Sequence, residues 1–115
     1  MENYVKTVFA CSGAADVGQL SDVVARELHK KGACTMKCLA FIGGGITKMI
    51  DSIKDTKMLV IDGCEIDCGR LTMEKNDLRN FTHFRLTDIG FKKGTTVISN
   101  ESINYASKKA IELMN

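Results

Sequence analysis

The chain has no apolar run long enough to span a bilayer or to form the core of a signal peptide; a run such as Met58 to Ile61 is only a strand's worth. A secreted or membrane-embedded protein is therefore not expected. It also lacks an excess of charge of either sign. Sixteen basic and 14 acidic residues are spread along 115 positions, for a net charge of +2. Such a balance builds no field that would steer nucleic acid or an anionic lipid surface, so no nucleic-acid or membrane partner is expected. There is no proline, and no linker, repeat or low-complexity tract divides the sequence. One domain over 1–115 is the natural reading, and 44% hydrophobic residues suffice for one core.

What the chain does have is cysteine. Five in so short a sequence, without a secretory signal, point to the reduced thiols of a cytoplasmic protein, and to metal binding or thiol chemistry. The odd number argues against a complete set of internal disulfides.

Hydrophobic periodicity places these residues. Lys6 to Ala10 reads as a first strand that stops at Cys11-Ser12-Gly13. Asp16 reads as the N-cap of a helix, with Gln19 three residues on and Val17, Leu20, Val24 and Leu28 on one face. Lys30, Lys31 and Gly32 end it. A second strand is expected over Thr35 to Leu39, then a turn at Gly43 to Gly45 and a short helix carrying Ile46, Met49, Ile50 and Ile53. Met58 to Asp62 has the continuous apolar character of a central parallel strand.

A helix over about Glu65 to Asn76 and an edge strand from His83 to Thr87 follow. A last helix starts near Asn100, with Ile103, Ala106, Ala110 and Leu113 inward. Strands alternating with helices imply right-handed crossovers and a four-stranded parallel sheet, an α/β, three-layer, doubly wound fold of order 2-1-3-4. Ligands of such sheets sit beyond the carboxyl ends of the strands.

Four cysteines fall at that edge: Cys11 closes strand one, Cys38 lies near the end of strand two, Cys64 follows strand three, and Cys68 comes one turn later. Strands lie about 4.8 Å apart. A tetrahedral zinc with bonds of about 2.3 Å wants its sulfurs about 3.8 Å from one another, which side-chain reach can supply. A helix starting by Cys64 would bring Cys64 and Cys68 to one side, and its N-terminus would favour their thiolates. Cys34 and Cys38 would be about 13 Å apart in an extended strand, so Cys34 is set aside unless that strand is shorter. A lone cysteine would be read as a small buried hydrophobe; four at strand ends read as a shared site.

The segments CSGAADVGQ (11–19), CLAFIGGGI (38–46), IDGCEIDC (61–68) and TDIGFKKG (87–94) resemble the DGC domain family, named for its Asp-Gly-Cys motif, here Asp62-Gly63-Cys64. The resemblance implies zinc binding through four cysteines that correspond to Cys11, Cys38, Cys64 and Cys68. It implies no reaction.

Other chemistries compete. Cys64 to Arg70 satisfies C-x5-R, in which a cysteine nucleophile attacks phosphorus or arsenic and an arginine binds the oxyanion, although Glu65 and Asp67 would repel a dianion there. Cys64 and Cys68 could act as a redox dithiol or sensor, and an iron–sulfur cluster takes the same ligands. Gly43 to Gly45 could bind an anion but reads more simply as a turn. Asp62 and Asp88 end strands three and four, where each could orient a ligand or simply cap a helix. His29 on a polar helix face and His83 at the start of an edge strand point to no particular chemistry.

Overall fold

The computed structural model describes residues 5–115. Its sheet has four strands, β1 (Lys6–Ala10), β2 (Thr35–Met36), β3 (Lys57–Asp62) and β4 (Phe81–Arg85), in the order β2-β1-β3-β4, all parallel. The expected α/β class and strand order are those observed. β3 is central because both of its faces are apolar, and Met58 to Ile61 are each no more than 2% exposed. Alternation along the strands divides the core in two. Val8, Ala10, Leu59, Ile61 and Phe84 face helices α1 (Asp16–Lys30) and α5 (Asn100–Met114), while Phe9, Met58 and Val60 face α2 (Leu39–Gly43), α3 (Thr47–Ile53) and α4 (Cys68–Lys75). On the second face, Phe9 meets Phe41 of α2 edge to face, with centroids 6.2 Å apart.

The departures from expectation lie at the ends of elements. β2 keeps only two residues, and Leu39–Gly43, expected to begin as strand, coils into α2 because Phe41 and Ile42 bury against the sheet. The helix expected from Glu65 begins at Cys68, since Asp67 adopts a left-handed conformation at φ 56°. β4 lies two residues earlier than expected and passes into a 3-10 turn over Leu86–Ile89. Asp16 is the first residue of α1 rather than its N-cap, which is Ala15. In α3 Ile53 is buried and Ile50 packs on the core, but Met49 and the N-cap residue Ile46 stay exposed. In α5 Met114 takes the inward place expected of Leu113, one turn beyond Ala110. A capping box between Ser99 and Ser102 starts that helix. None of the described helices is long and apolar enough to cross a membrane.

Candidate functional site: a thiol-lined cleft at the carboxyl edge

The ends of β1 and β3 are locked together where Cys11 donates its N–H to the Ile61 carbonyl at 3.0 Å. Beyond this point Cys11, Cys64 and Cys68 line one cleft of about 440 Å³, with Asp62, Asp67 and Lys93 also on its walls. Cys64 opens a tight turn closed by the Asp67 N–H on its carbonyl at 3.1 Å, and Cys68 is the first residue of α4. Cys38, exposed at the N-cap of α2, lines a neighbouring cleft instead. Cys34 is buried in the core beneath α1 and α5.

Burial pushes the Cys11 thiol above its ordinary value, and the Asp62 charge and a hydrogen bond with Cys68 add to this, against the opposing backbone N–H of Gly13. Among the described residues no three cysteine sulfurs sit within 4.8 Å of one another, Cys11, Cys64 and Cys68 included; the group of potential ligand atoms that does is Asp62, Asp67 and His83.

The Asp-Gly-Cys segment builds the cleft wall residue by residue. Asp62, 1% exposed at the end of β3, accepts the Gly69 N–H at 2.7 Å and the Arg70 N–H at 3.0 Å, so one carboxylate caps the two free amides behind Cys68. His83 Nε2 lies 2.8 Å from its second oxygen. Gly63 is where α1 presses closest: a Cβ there would lie 2.7 Å from the Val17 carbonyl carbon, a backbone atom that cannot swing aside. Gly69 is confined likewise, with Asp62 Oδ1 2.8 Å from where its Cβ would be.

Asp67 is 2% exposed and held by three cationic or imidazole side chains. Arg85 donates Nε–H at 2.8 Å and a second N–H through Nη2, Arg70 donates Nε–H at 3.2 Å, and His83 Nε2 stands 3.7 Å away. Arg85 above all holds the Asp67 carboxyl below its ordinary value, and Asp67 in turn pushes the Arg85 guanidinium up. With both carboxylates committed in this way, the Asp62–Asp67–His83 group is a closed ion-pair network rather than a cation cage.

The same bonds bear on C-x5-R chemistry. The Gly69 and Arg70 amides that would cradle an oxyanion are given to Asp62, and the Arg70 guanidinium is given to Asp67 and Glu74. Asp88 sits in the 3-10 turn and accepts from Arg85 at 3.3 Å; it does not line the cysteine cleft.

Three participants went unread in the sequence. His83 and Arg85 point to the cleft only through register, which sets Asp62 beside Arg85 across β3 and β4. Asp16 accepts N–H groups from Gly94 at 2.9 Å, Thr96 at 2.9 Å and Val17 at 2.8 Å. These bonds, Gly94 first, hold its carboxyl below the ordinary value, and they draw Lys93 to the cleft rim. The one available signal was that Asp16 and Gly94 both fall in the motif-like segments.

A parallel α/β sheet whose carboxyl edge carries three thiols in one cleft, backed by an Asp-Gly-Cys turn, defines a class of cysteine-bearing α/β domains. Within that class, the DGC domain family model matches residues 7–110, and the chain belongs to this family. It is similar to the anaerobic and virulence modulator AnvM of Pseudomonas aeruginosa, with 29% identity over 87 residues, or 75% of this chain. The match covers 66% of that relative, just under two thirds of its length. No solved structure matches the chain.

Proposed function

We propose that this protein is a zinc-binding domain with a regulatory role, its ion held by Cys11, Cys64 and Cys68 with Cys38 as fourth donor. The observation that carries the proposal is that three thiols line one cleft, from which side-chain rotation on binding would bring them onto one ion. The donor chemistry fits: the carboxylates beside the cleft are spent on arginine and on backbone amides, so soft sulfur donors are what it offers, and these select zinc or an iron–sulfur centre over magnesium or calcium. When bound, zinc would cross-link the loops after β1 and β3 through its thiolates. Four thiolates leave a net negative charge, which Lys93 at the rim would offset. The relative's description as a modulator favours regulation over catalysis. A cytoplasmic setting, which keeps thiols reduced, suits this reading.

Elemental analysis of protein purified without added metal is expected to find about one zinc per chain. Cys64→Ser should lose most of it and Cys34→Ser should not. Metal-free protein whose thiols all titrate freely would overturn the proposal.

A thiol-redox reading is favoured by the placing of Cys11 and Cys68 on the wall of one cleft, with Cys68 exposed at the start of α4. Peroxide would then join this pair rather than Cys64 and Cys68, each sulfur giving up a hydrogen as peroxide is reduced to water. Peptide mapping after mild peroxide treatment decides: a Cys11–Cys68 linkage supports it and fully reduced thiols reject it.

A further inference from the structure

A second, larger cleft among the described residues lies on the other side of β1, and apart from Cys38 its lining has no part in the proposed zinc site. It has a volume of about 830 Å³ and opens at the carboxyl ends of β1 and β2, between α1 and α2. Ala10, Met36, Leu39 and Ala40 give it apolar walls. Its size and position suit a small-molecule site in a parallel α/β sheet.

The polar groups at its border are arranged to donate. Asp22 accepts the Ser12 hydroxyl through Oδ1 at 2.9 Å and the Arg26 Nε–H through Oδ2 at 2.8 Å, so its carboxylate is spent on orienting the guanidinium. His29 Nδ1 accepts the Met36 N–H at 3.0 Å, which leaves the ring proton on Nε2. The Thr72 hydroxyl donates to the Cys68 carbonyl at 2.6 Å. What remains toward a ligand is the rest of the Arg26 fork, the His29 Nε2–H, the Lys37 ammonium and the Cys38 thiol. Two cations and one spent carboxylate leave this border with a net positive charge.

We infer that this cleft binds a small amphipathic anion, an apolar body with an acceptor-rich carboxylate or phosphate head, its head at Arg26 and Lys37 and its body against Met36, Leu39 and Ala40. The head meets two cations against one carboxylate, Asp22, whose charge Arg26 offsets, so Lys37 supplies the net attraction, and the body covers apolar wall. Cys38 stands in the wall, so occupancy of the cleft would be felt by one thiol of the proposed metal set.

Calorimetric titration with decanoate, decyl phosphate and decan-1-ol tests this. One molecule of at least one anion should bind per chain, with decanol at least about tenfold weaker, as expected from the loss of one charge-assisted hydrogen bond. The tighter of the two anions identifies the head. Arg26→Gln and Lys37→Gln should each weaken binding by roughly five- to tenfold. Ala40→Phe, which fills the cleft, should abolish it, and Lys30→Gln, outside the cleft, should leave it unchanged. Equal affinity for decanol and the anions, full affinity in an Arg26→Gln, Lys37→Gln double variant, or no saturable binding would overturn the inference. Cys64 does not line this cleft, so binding should persist in Cys64→Ser. Failure of the zinc proposal and failure of this inference are therefore separately visible.

Discussion

At the scale of single residues, the buried charge at Asp67 is the feature most open to test. Its folded carboxyl lies below the ordinary value because Arg85 donates to it, so the bond adds stability above about pH 4, and that stability is lost as pH falls through the depressed value. Asparagine tolerates the left-handed backbone found at Asp67 and removes only the charge. Asp67→Asn is expected to cost about 1.5–3 kcal/mol in urea unfolding at pH 7, as for the loss of a hydrogen bond to a charged group whose partner is partly exposed. The gap from the native chain should shrink at pH 3. An equal gap at both pH values would show that the ion pair contributes nothing of its own.

At the scale of elements, the site is made where loops dock, and Asp16 is the clearest case. A residue read as a helix cap collects the Gly94 and Thr96 amides from the segment that follows the 3-10 turn, and so ties the start of α1 to the segment bearing Lys93. Asp16→Ala should leave the helices intact and make the Gly94 and Thr96 amides exchange several-fold faster with solvent, while β3 amides keep their protection. Unchanged exchange at those two amides would mean that the loop is held by something else.

The same scale shows what the sequence made legible. β1 was legible in full, β3 to one residue and the start of α5 in full, because apolar pattern and burial agree there. α2 was not: a five-residue apolar stretch fits a strand or a helix equally well until Phe41 meets Phe9 on one face of the sheet. The late start of α4 was equally hidden, since it follows a left-handed Asp67 whose carboxylate accepts from Arg70 of α4 and from Arg85 of β4, a partner that only the sheet brings near.

At the scale of the whole molecule, two cores on either side of one sheet set five thiols at different depths. Cys38 and Cys68 are exposed, Cys11 and Cys64 half-buried, and Cys34 is 6% exposed. Burial also raises the Cys34 and Cys11 thiols, which lowers their thiolate fraction at neutral pH. In metal-stripped, reduced protein, maleimide labelling followed by peptide mapping should therefore modify Cys38 and Cys68 first, Cys11 and Cys64 more slowly, and Cys34 only on global unfolding. Labelling of Cys34 as fast as Cys38 would contradict the packing of α1 and α5 over it.

The sequence by itself determined the parallel α/β sheet and its strand order, because hydrophobic period and crossover handedness are local or general rules. The tertiary structure decided what surrounds the thiols. It put Cys11, Cys64 and Cys68 in one cleft and Cys38 in the next, closed Asp62 onto the amides of α4, and tied Gly94, next to Lys93 at the rim, to a carboxylate 78 residues away. Those outcomes depend on strand register, on the closeness of Gly63 to Val17, and on Arg85 of β4 reaching the carboxylate of the left-handed Asp67. Each of these exists only once the sheet has brought remote segments together.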